Sequence, residues 1–230
     1  AQGIIEAING GVIKGTGQLY NDGKGYRYRT SSGADLRNDW VSANGHRYYM
    51  GSDGYAVRWS QKIDGSWYYF TDSCQMYTGL LTWYADGLKS YYGTDGKRID
   101  GWVKLSGKWH YFFPSTGKSA RWSQKIGDYW YYFDSQSRMH TGWLTWNADG
   151  RKSYFDSLGH ALVGWQILGG KRYYFDEKGR SARWTSNIEG ETYYFDSQGV
   201  QHQGWLTWNA DGSKSYFDPA NGGAMVTGQA

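Results

Sequence analysis

Cysteine occurs once in this chain, at Cys74, so no internal disulfide can form and no cluster of thiols exists to hold a metal. Proline occurs twice, at Pro114 and Pro219, which leaves strands almost uninterrupted. No apolar run approaches the ~20 residues of a bilayer span, so membrane insertion is not expected, and no signal peptide is seen from Ala1 onward. The formal charge is +4, but Lys and Arg are scattered among Asp and Glu without a basic run, and nucleic acid is not an expected partner. Aliphatic residues are too sparse for a helix bundle or a doubly wound sheet. The sequence has no Gly-x-Ser-x-Gly elbow, phosphate loop or dinucleotide fingerprint.

What is present is rings and glycine: 14 Trp, 22 Tyr, 8 Phe and 34 Gly in 230 residues. Aromatic side chains suit the half-buried, pleated surface of strands, and glycine supplies positive φ at tight turns. The expected fold class is therefore all-β with many turns.

Periodicity organises these residues. Units begin at Trp40, Trp59, Leu80, Trp102, Trp122, Trp143, Trp165, Trp184 and Trp205, at steps of 19 to 22 residues. A longer period of 62 or 63 residues relates Trp40 to Trp102 and Trp165, Trp59 to Trp122 and Trp184, and Trp83 to Trp146 and Trp208. Units thus come in three types: GWVKLSGKWHYF, RWSQKIDGSWYYF and GWLTWNADGRKSYF. The predicted organisation is a degenerate N-terminal segment, residues 1–39, followed by nine repeats over 40–228 in three triplets (40–101, 102–164, 165–228). INGGVIKGTG near the start resembles the final ANGGAMVTG, so the chain is expected to begin mid-repeat, as a piece of a longer array or protein.

Inside a unit, a short run after the leading Trp meets a turn such as Asn44-Gly45, Asp64-Gly65, Asp86-Gly87, Asp149-Gly150 or Asp211-Gly212, then a β-prone run such as Trp67-Tyr68-Tyr69-Phe70. This is a hairpin pattern. Alternation puts Trp67 and Tyr69 on one side and Tyr68 and Phe70 on the other. A lone hairpin is marginal in water, so neighbours must bury these faces mutually. Rotation by about a third of a turn per hairpin would return each type to the same azimuth, giving a β-solenoid of about three hairpins per superhelical turn.

These residues resemble the cell-wall-binding repeat family of choline-binding type, in which a leading GW precedes a WYYF hairpin and a G-x-M-x-TGW exit. RWSQKIGDYWYYFDSQSRMHTGW, residues 121–143, carries the pattern most fully, and the motif set recurs over about 190 residues. The resemblance implies extracellular display, attachment to a Gram-positive envelope, and aromatic cages between successive hairpins. Rings hold a quaternary ammonium by cation–π contacts of roughly 0.5–2 kcal/mol each, and repetition along a polymer converts weak contacts into avidity.

Carried over unit by unit, the resemblance places the best cages at Trp102 and Trp109 with Trp122, and at Trp122 and Trp130 with Trp143, closed by Met139. Trp59 and Trp67 form a partial cage beside Leu80. Elsewhere Arg47, Lys89, Lys152, Arg172, Thr192 or Lys214 replaces the second-strand Trp, and a cation there would repel choline. In the third type the ring moves to Trp83, Trp146 and Trp208, either as packing or as a secondary sugar-stacking surface with a lysine nearby. Residues 164–180, GWQILGGKRYYFDEKGR, also resemble repeats of glucan-binding domains and clostridial toxins, which bind carbohydrate.

The remaining chemistry reads as structural. His46, His110, His140, His160 and His202 lack metal-site spacing, and His140 and His202 fall where the first triplet has Tyr77. Asp72, Asp134, Asp156, Asp176, Asp196 and Asp218 follow second strands and read as loop caps, not as a catalytic carboxylate pair. No metal, cofactor or catalysis is expected. The expected function is non-catalytic anchoring of a secreted protein to a cell-wall polymer, through choline or a similar amine on teichoic acid. Two alternatives stand beside it: a carbohydrate-binding module for glucan, peptidoglycan or host glycan, and a structural stalk or adhesin that binds protein.

Overall fold

Two consecutive residues at positive φ reverse a chain with the twist that flanking strands require, and Asn or Asp followed by Gly tolerates that conformation best. Asn44 and Gly45 lie at φ 53° and 77°, Asp64 and Gly65 at 46° and 79°, and Ser106-Gly107 and Glu189-Gly190 turn in the same way. Each closes a two-stranded antiparallel hairpin. The computed structural model describes residues 17–226, which divide between two compact units, residues 1–120 and 121–230.

In the first unit Gln18–Asn21 pairs with Tyr26–Arg29, Asp39–Ala43 with His46–Met50, Trp59–Ile63 with Ser66–Phe70, Gly79–Thr82 with Lys89–Tyr92, and Gly101–Leu105 with Lys108–Phe112. In the second, Trp122–Ile126 pairs with Tyr129–Phe133, Gly142–Thr145 with Lys152–Phe155, Gly164–Leu168 with Lys171–Phe175, Trp184–Ile188 with Glu191–Phe195, and Gly204–Thr207 with Lys214–Asp218. A single 3-10 turn, Pro219–Asn221, is the helical content of the described residues, and no helix there is long and apolar enough to cross a membrane. The chain is all-β, as its rings and glycines predict.

The alternation expected for the second strand is observed: Tyr68 and Phe70 are buried, Trp67 is exposed and Tyr69 half-buried. The strand-final ring (Phe70, Phe112, Phe133, Phe155, Phe175, Phe195 and Phe217) is buried in every case. Each such phenyl contributes about 1.5–3 kcal/mol by leaving water. After it, the chain folds back and bridges to that same phenylalanine, as Met76 does to Phe70 and Met139 to Phe133.

This exit segment also ties neighbours together. Met76 N donates to Arg47 O, Ser119 N to Lys89 O, Ala161 N to Trp130 O, Ser181 N to Lys152 O and Gln201 N to Arg172 O, all at 2.7–2.8 Å. In these five pairs the second strand is completed by the exit of the unit that follows. That supplies the mutual burial an isolated hairpin lacks.

Carboxylates cap the exit loops. Oδ1 of Asp134, Asp156, Asp176 and Asp196 accepts backbone N–H groups two and four residues on, at 2.7–2.9 Å, and Asp218 caps Ala220 N. In the Trp59–Phe70 unit the position belongs to Thr71 rather than Asp72, because Thr71 directly follows Phe70 and its hydroxyl accepts from Gln75 N. For Asp134, burial opposes ionisation, but the Arg138 backbone N–H, the Arg138 guanidinium and Gln136 N together hold the carboxyl below its usual range.

Candidate functional site

Register separates the leading tryptophans into two classes that spacing alone merges. Trp102 lies opposite Tyr111 while Gly101 lies opposite Phe112; Trp59, Trp122 and Trp184 lie opposite Phe70, Phe133 and Phe195. The second-type tryptophans therefore stand where the other units have Gly101, Gly142, Gly164 or Gly204. They carry the same left-handed backbone, at φ 62°, 61° and 59°. Unit starts read from tryptophan alone are offset by one residue at these three positions. A bulky residue at positive φ is an outlier and stores strain of order 1–3 kcal/mol. The strained rings are also exposed, Trp59 at 54%, Trp122 at 50% and Trp184 at 50%, with Arg121 over Trp122 at 5.8 Å and Arg183 over Trp184 at 5.0 Å.

Beside each of them the same aromatic group recurs. Tyr69 packs edge-on against Trp83 at 5.6 Å and Tyr77 at 6.0 Å, with Tyr92 at 6.2 Å. Tyr132 packs likewise against Trp146 at 5.6 Å and His140 at 6.0 Å, with Phe155 tilted beside it at 6.4 Å. Tyr194 does the same against Trp208 at 5.5 Å and His202 at 6.1 Å, with Phe217 tilted beside it at 6.1 Å. The exposed tryptophan adjoins the central tyrosine at 6.2–6.4 Å in all three groups. His140 and His202 substitute for Tyr77 functionally as well as by position: Tyr77 Oη donates to Leu80 O, and the histidine Nε2 atoms lie 3.0 and 3.1 Å from the carbonyls of Trp143 and Trp205. A carbonyl only accepts, so Nε2 carries the proton. The central tyrosines were not among the residues singled out from sequence, although the 62- or 63-residue period marks them.

Trp83, Trp146 and Trp208 are fastened in place. Their indole N–H groups donate to Ser90, Ser153 and Ser215 over 2.8–2.9 Å, and each opens the wide turn of its hairpin by accepting from Gly87, Gly150 or Gly212 N. Lys118 lies over the Trp83 ring at 5.9 Å and Arg180 over Trp146 at 5.1 Å.

The first-class tryptophans pack against their own hairpin's tyrosine at 5.1–5.2 Å, as Trp40, Trp102, Trp143, Trp165 and Trp205 do. In three of these units the second-strand cation sits on the ring: Arg47 on Trp40 at 4.8 Å, Lys152 on Trp143 at 5.8 Å and Arg172 on Trp165 at 4.0 Å. Where the second strand carries tryptophan, a second ring takes that place. Trp102 and Trp109 meet edge to face at 6.4 Å, and Lys104 lies over Trp109 at 5.8 Å.

The other expected cage residues are placed as follows. Trp67 walls a cavity of about 260 Å³ with Trp83, Tyr92, Arg98 and Lys118. Trp130 is half-buried opposite Lys125, and its carbonyl accepts from Ala161 N. Trp143 contacts Tyr173 of the next hairpin at 5.0 Å. The Met139 thioether lies against Gly159, where a β-carbon would collide with Sδ. Trp102 and Trp109 belong to the first unit, Trp122 to the second.

Comparison with known proteins adds the following. A choline-binding repeat family matches residues 123–163 and 185–229, and a cell wall binding repeat family matches 38–56, 61–73, 100–118 and 163–181. Choline binding protein F of Streptococcus pneumoniae superposes with a TM-score of 0.65 at 22% identity, covering 93% of this chain and 88% of that one. The choline-binding domain of another S. pneumoniae protein, CbpL, gives 0.56 at 24% identity, covering 82% and 98%. In sequence, glucosyltransferase-I of Streptococcus downei is 44% identical over 50 residues, which are 21% of this chain and 3% of that enzyme.

Proposed function

We propose, for a chain that belongs to the choline-binding, cell-wall-binding repeat family, that it is a non-catalytic module retaining a secreted protein on a Gram-positive envelope polymer, with choline or a similar amine on teichoic acid as ligand. The observation that carries this reading is the threefold recurrence of an exposed, strained tryptophan beside a fixed aromatic group, at Trp59, Trp122 and Trp184. Backbone strain is retained where function uses it, and three weak sites on one chain give avidity toward a repeating polymer. Trp102 with Trp109 adds a two-ring face, and Trp67, Trp130, Trp143 and Met139 belong to the proposed contact set.

The arrangement we infer is nine repeats in three triplets, wound as a solenoid with three hairpins per turn; the 62- or 63-residue recurrence of the aromatic group supports it. The module is proposed to act outside the cell, and any activity of a longer parent protein lies beyond this chain.

The test is retention of the chain on a tertiary-amine resin and elution by choline. Passage straight through the resin, with no heat on titration with millimolar choline, overturns the amine reading.

A second reading, carbohydrate binding, is favoured by the cations that the chain places on its own rings. Arg98, Lys104, Arg121 and Lys152 lie 5.8 Å from Trp67, Trp109, Trp122 and Trp143, where an amine would sit. Sedimentation of the chain with insoluble glucan or purified cell walls, unaffected by choline, would select this reading.

A further inference from the structure

The cavity between Trp67 and Trp83 differs in chemistry from an amine cage. Its lining contains two cations, Arg98 and Lys118, and no carboxylate. Both are anchored from outside it: Arg98 by Asp100 and the Pro114 carbonyl, Lys118 by Asp86. An ammonium has three donors and a guanidinium five, so these contacts leave donor capacity on both groups. The guanidinium lies 5.8 Å from the Trp67 ring and the ammonium 5.9 Å from Trp83. The hydroxyls of Ser115 and Thr116 complete one wall. At about 260 Å³ the space falls just below the ~300–1,000 Å³ of drug-sized sites, which suits one sugar ring rather than an oligosaccharide.

We propose that this cavity binds a single saccharide residue bearing an anionic substituent, with Arg98 and Lys118 holding the anion and the Trp67 indole meeting the sugar. A quaternary ammonium entering here meets two like charges, whose Asp partners lie outside the lining, and offers their N–H groups no acceptor. A carboxylate or phosphate gains charge-assisted hydrogen bonds from both. Such a substituent has two polymer sources, a uronic acid and a phosphodiester-linked sugar. The inference deepens the polymer-binding reading and rests on it; it takes Trp67 out of the amine contact set and leaves the exposed rings of Trp59, Trp122 and Trp184 as the amine-binding candidates.

The experiment titrates the whole chain, at constant ionic strength, with glucose, glucuronate, glucose 6-phosphate and choline. Calorimetry gives affinity, and the Trp67 indole N–H resonance, assigned through W67F, gives location. The expected result is binding of both acidic sugars at least about tenfold tighter than glucose, with the Trp67 resonance shifting in step. R98Q and K118Q should each weaken the acidic sugars about tenfold, and R98K should restore most of that loss. Tighter binding of glucose 6-phosphate points to a phosphodiester polymer; tighter binding of glucuronate points to a uronate polysaccharide. Glucose binding as tightly as the acids, choline shifting Trp67 at lower concentration than they do, or unchanged affinities in a folded R98Q/K118Q variant would each overturn the proposal. Amine-resin retention of the same variants is expected not to fall below the parent level, because Trp59, Trp122 and Trp184 are untouched, which separates failure of this site from failure of the anchoring function.

Discussion

The Arg172 guanidinium carbon stands 4.0 Å from the centroid of the Trp165 ring, and Arg172 Nη1 also donates to the Gly222 carbonyl. The chain thus fills one of its own aromatic faces with the kind of group that an amine ligand would bring. Arg172→Ala should remove about 1–2 kcal/mol of cation–π stabilisation and lower the melting temperature of the second unit by several degrees, at roughly 4 °C per kcal/mol for a unit of its size. Calorimetric melting checks the stability. The same change frees Trp165, so retention on a tertiary-amine resin should rise; unchanged retention would mean that this ring takes no part in binding.

Trp146 and Ser153 form a second such pair, 2.8 Å apart, with Ser153 buried. Ser153→Ala leaves the indole N–H without its acceptor and should cost about 1–3 kcal/mol. Trp146→Phe should lose the same bond from the other side. In a double-mutant cycle by urea denaturation the two losses should be less than additive. Additive losses would show that the bond contributes nothing to stability.

Trp122 tests whether strain is kept for binding. Trp122→Gly relieves a left-handed residue, worth about 1–2 kcal/mol, and gives up a ring contact worth about 0.5–1.5 kcal/mol. Stability should therefore stay within about 1 kcal/mol of the parent while amine or polymer retention falls. A variant with undiminished retention would remove Trp122 from the site.

Tyr92 makes the first unit sensitive to alkali. Burial is the main cause that pushes its phenol up from the usual 10.0 to about 12. The folded state disfavours the phenolate, so this group's contribution is fully present below pH 10 and is lost as pH rises from there toward about 12. Denaturation midpoints should fall across that window, and Tyr92→Phe should flatten the fall. Phenolate absorbance measured on the folded chain should show one tyrosine titrating after the rest.

Much of this was legible in the letters because it depends on local chemistry. Asn44-Gly45 and Asp64-Gly65 announce their turns, and Phe70, Phe133 and Phe195 mark the buried end of each second strand. The one-residue offset of Trp59, Trp122 and Trp184 was not legible, since a tryptophan opens those units as it opens the others. Only strand register reveals that these rings stand in a glycine's place. Arg47, Lys152 and Arg172 were visible as cations where tryptophan might stand. Their repulsion of an amine could be argued from sequence, but their seats on Trp40, Trp143 and Trp165 needed three dimensions. Met139 looked like a cage wall because a thioether suits one. Its contact with Gly159 depends on close approach to a residue that has no side chain to advertise it.

The backbone bonds that run from each exit segment to the hairpin before it, as from Ala161 to Trp130 and from Gln201 to Arg172, set an order of assembly. In these pairs the earlier hairpin acquires its last partner only once the chain about thirty residues further on is present. Yet none must wait for a distant part of the chain, and contacts of such short reach favour fast folding. Within each unit such hairpins can form in sequence, each needing only its next neighbour to complete its edge.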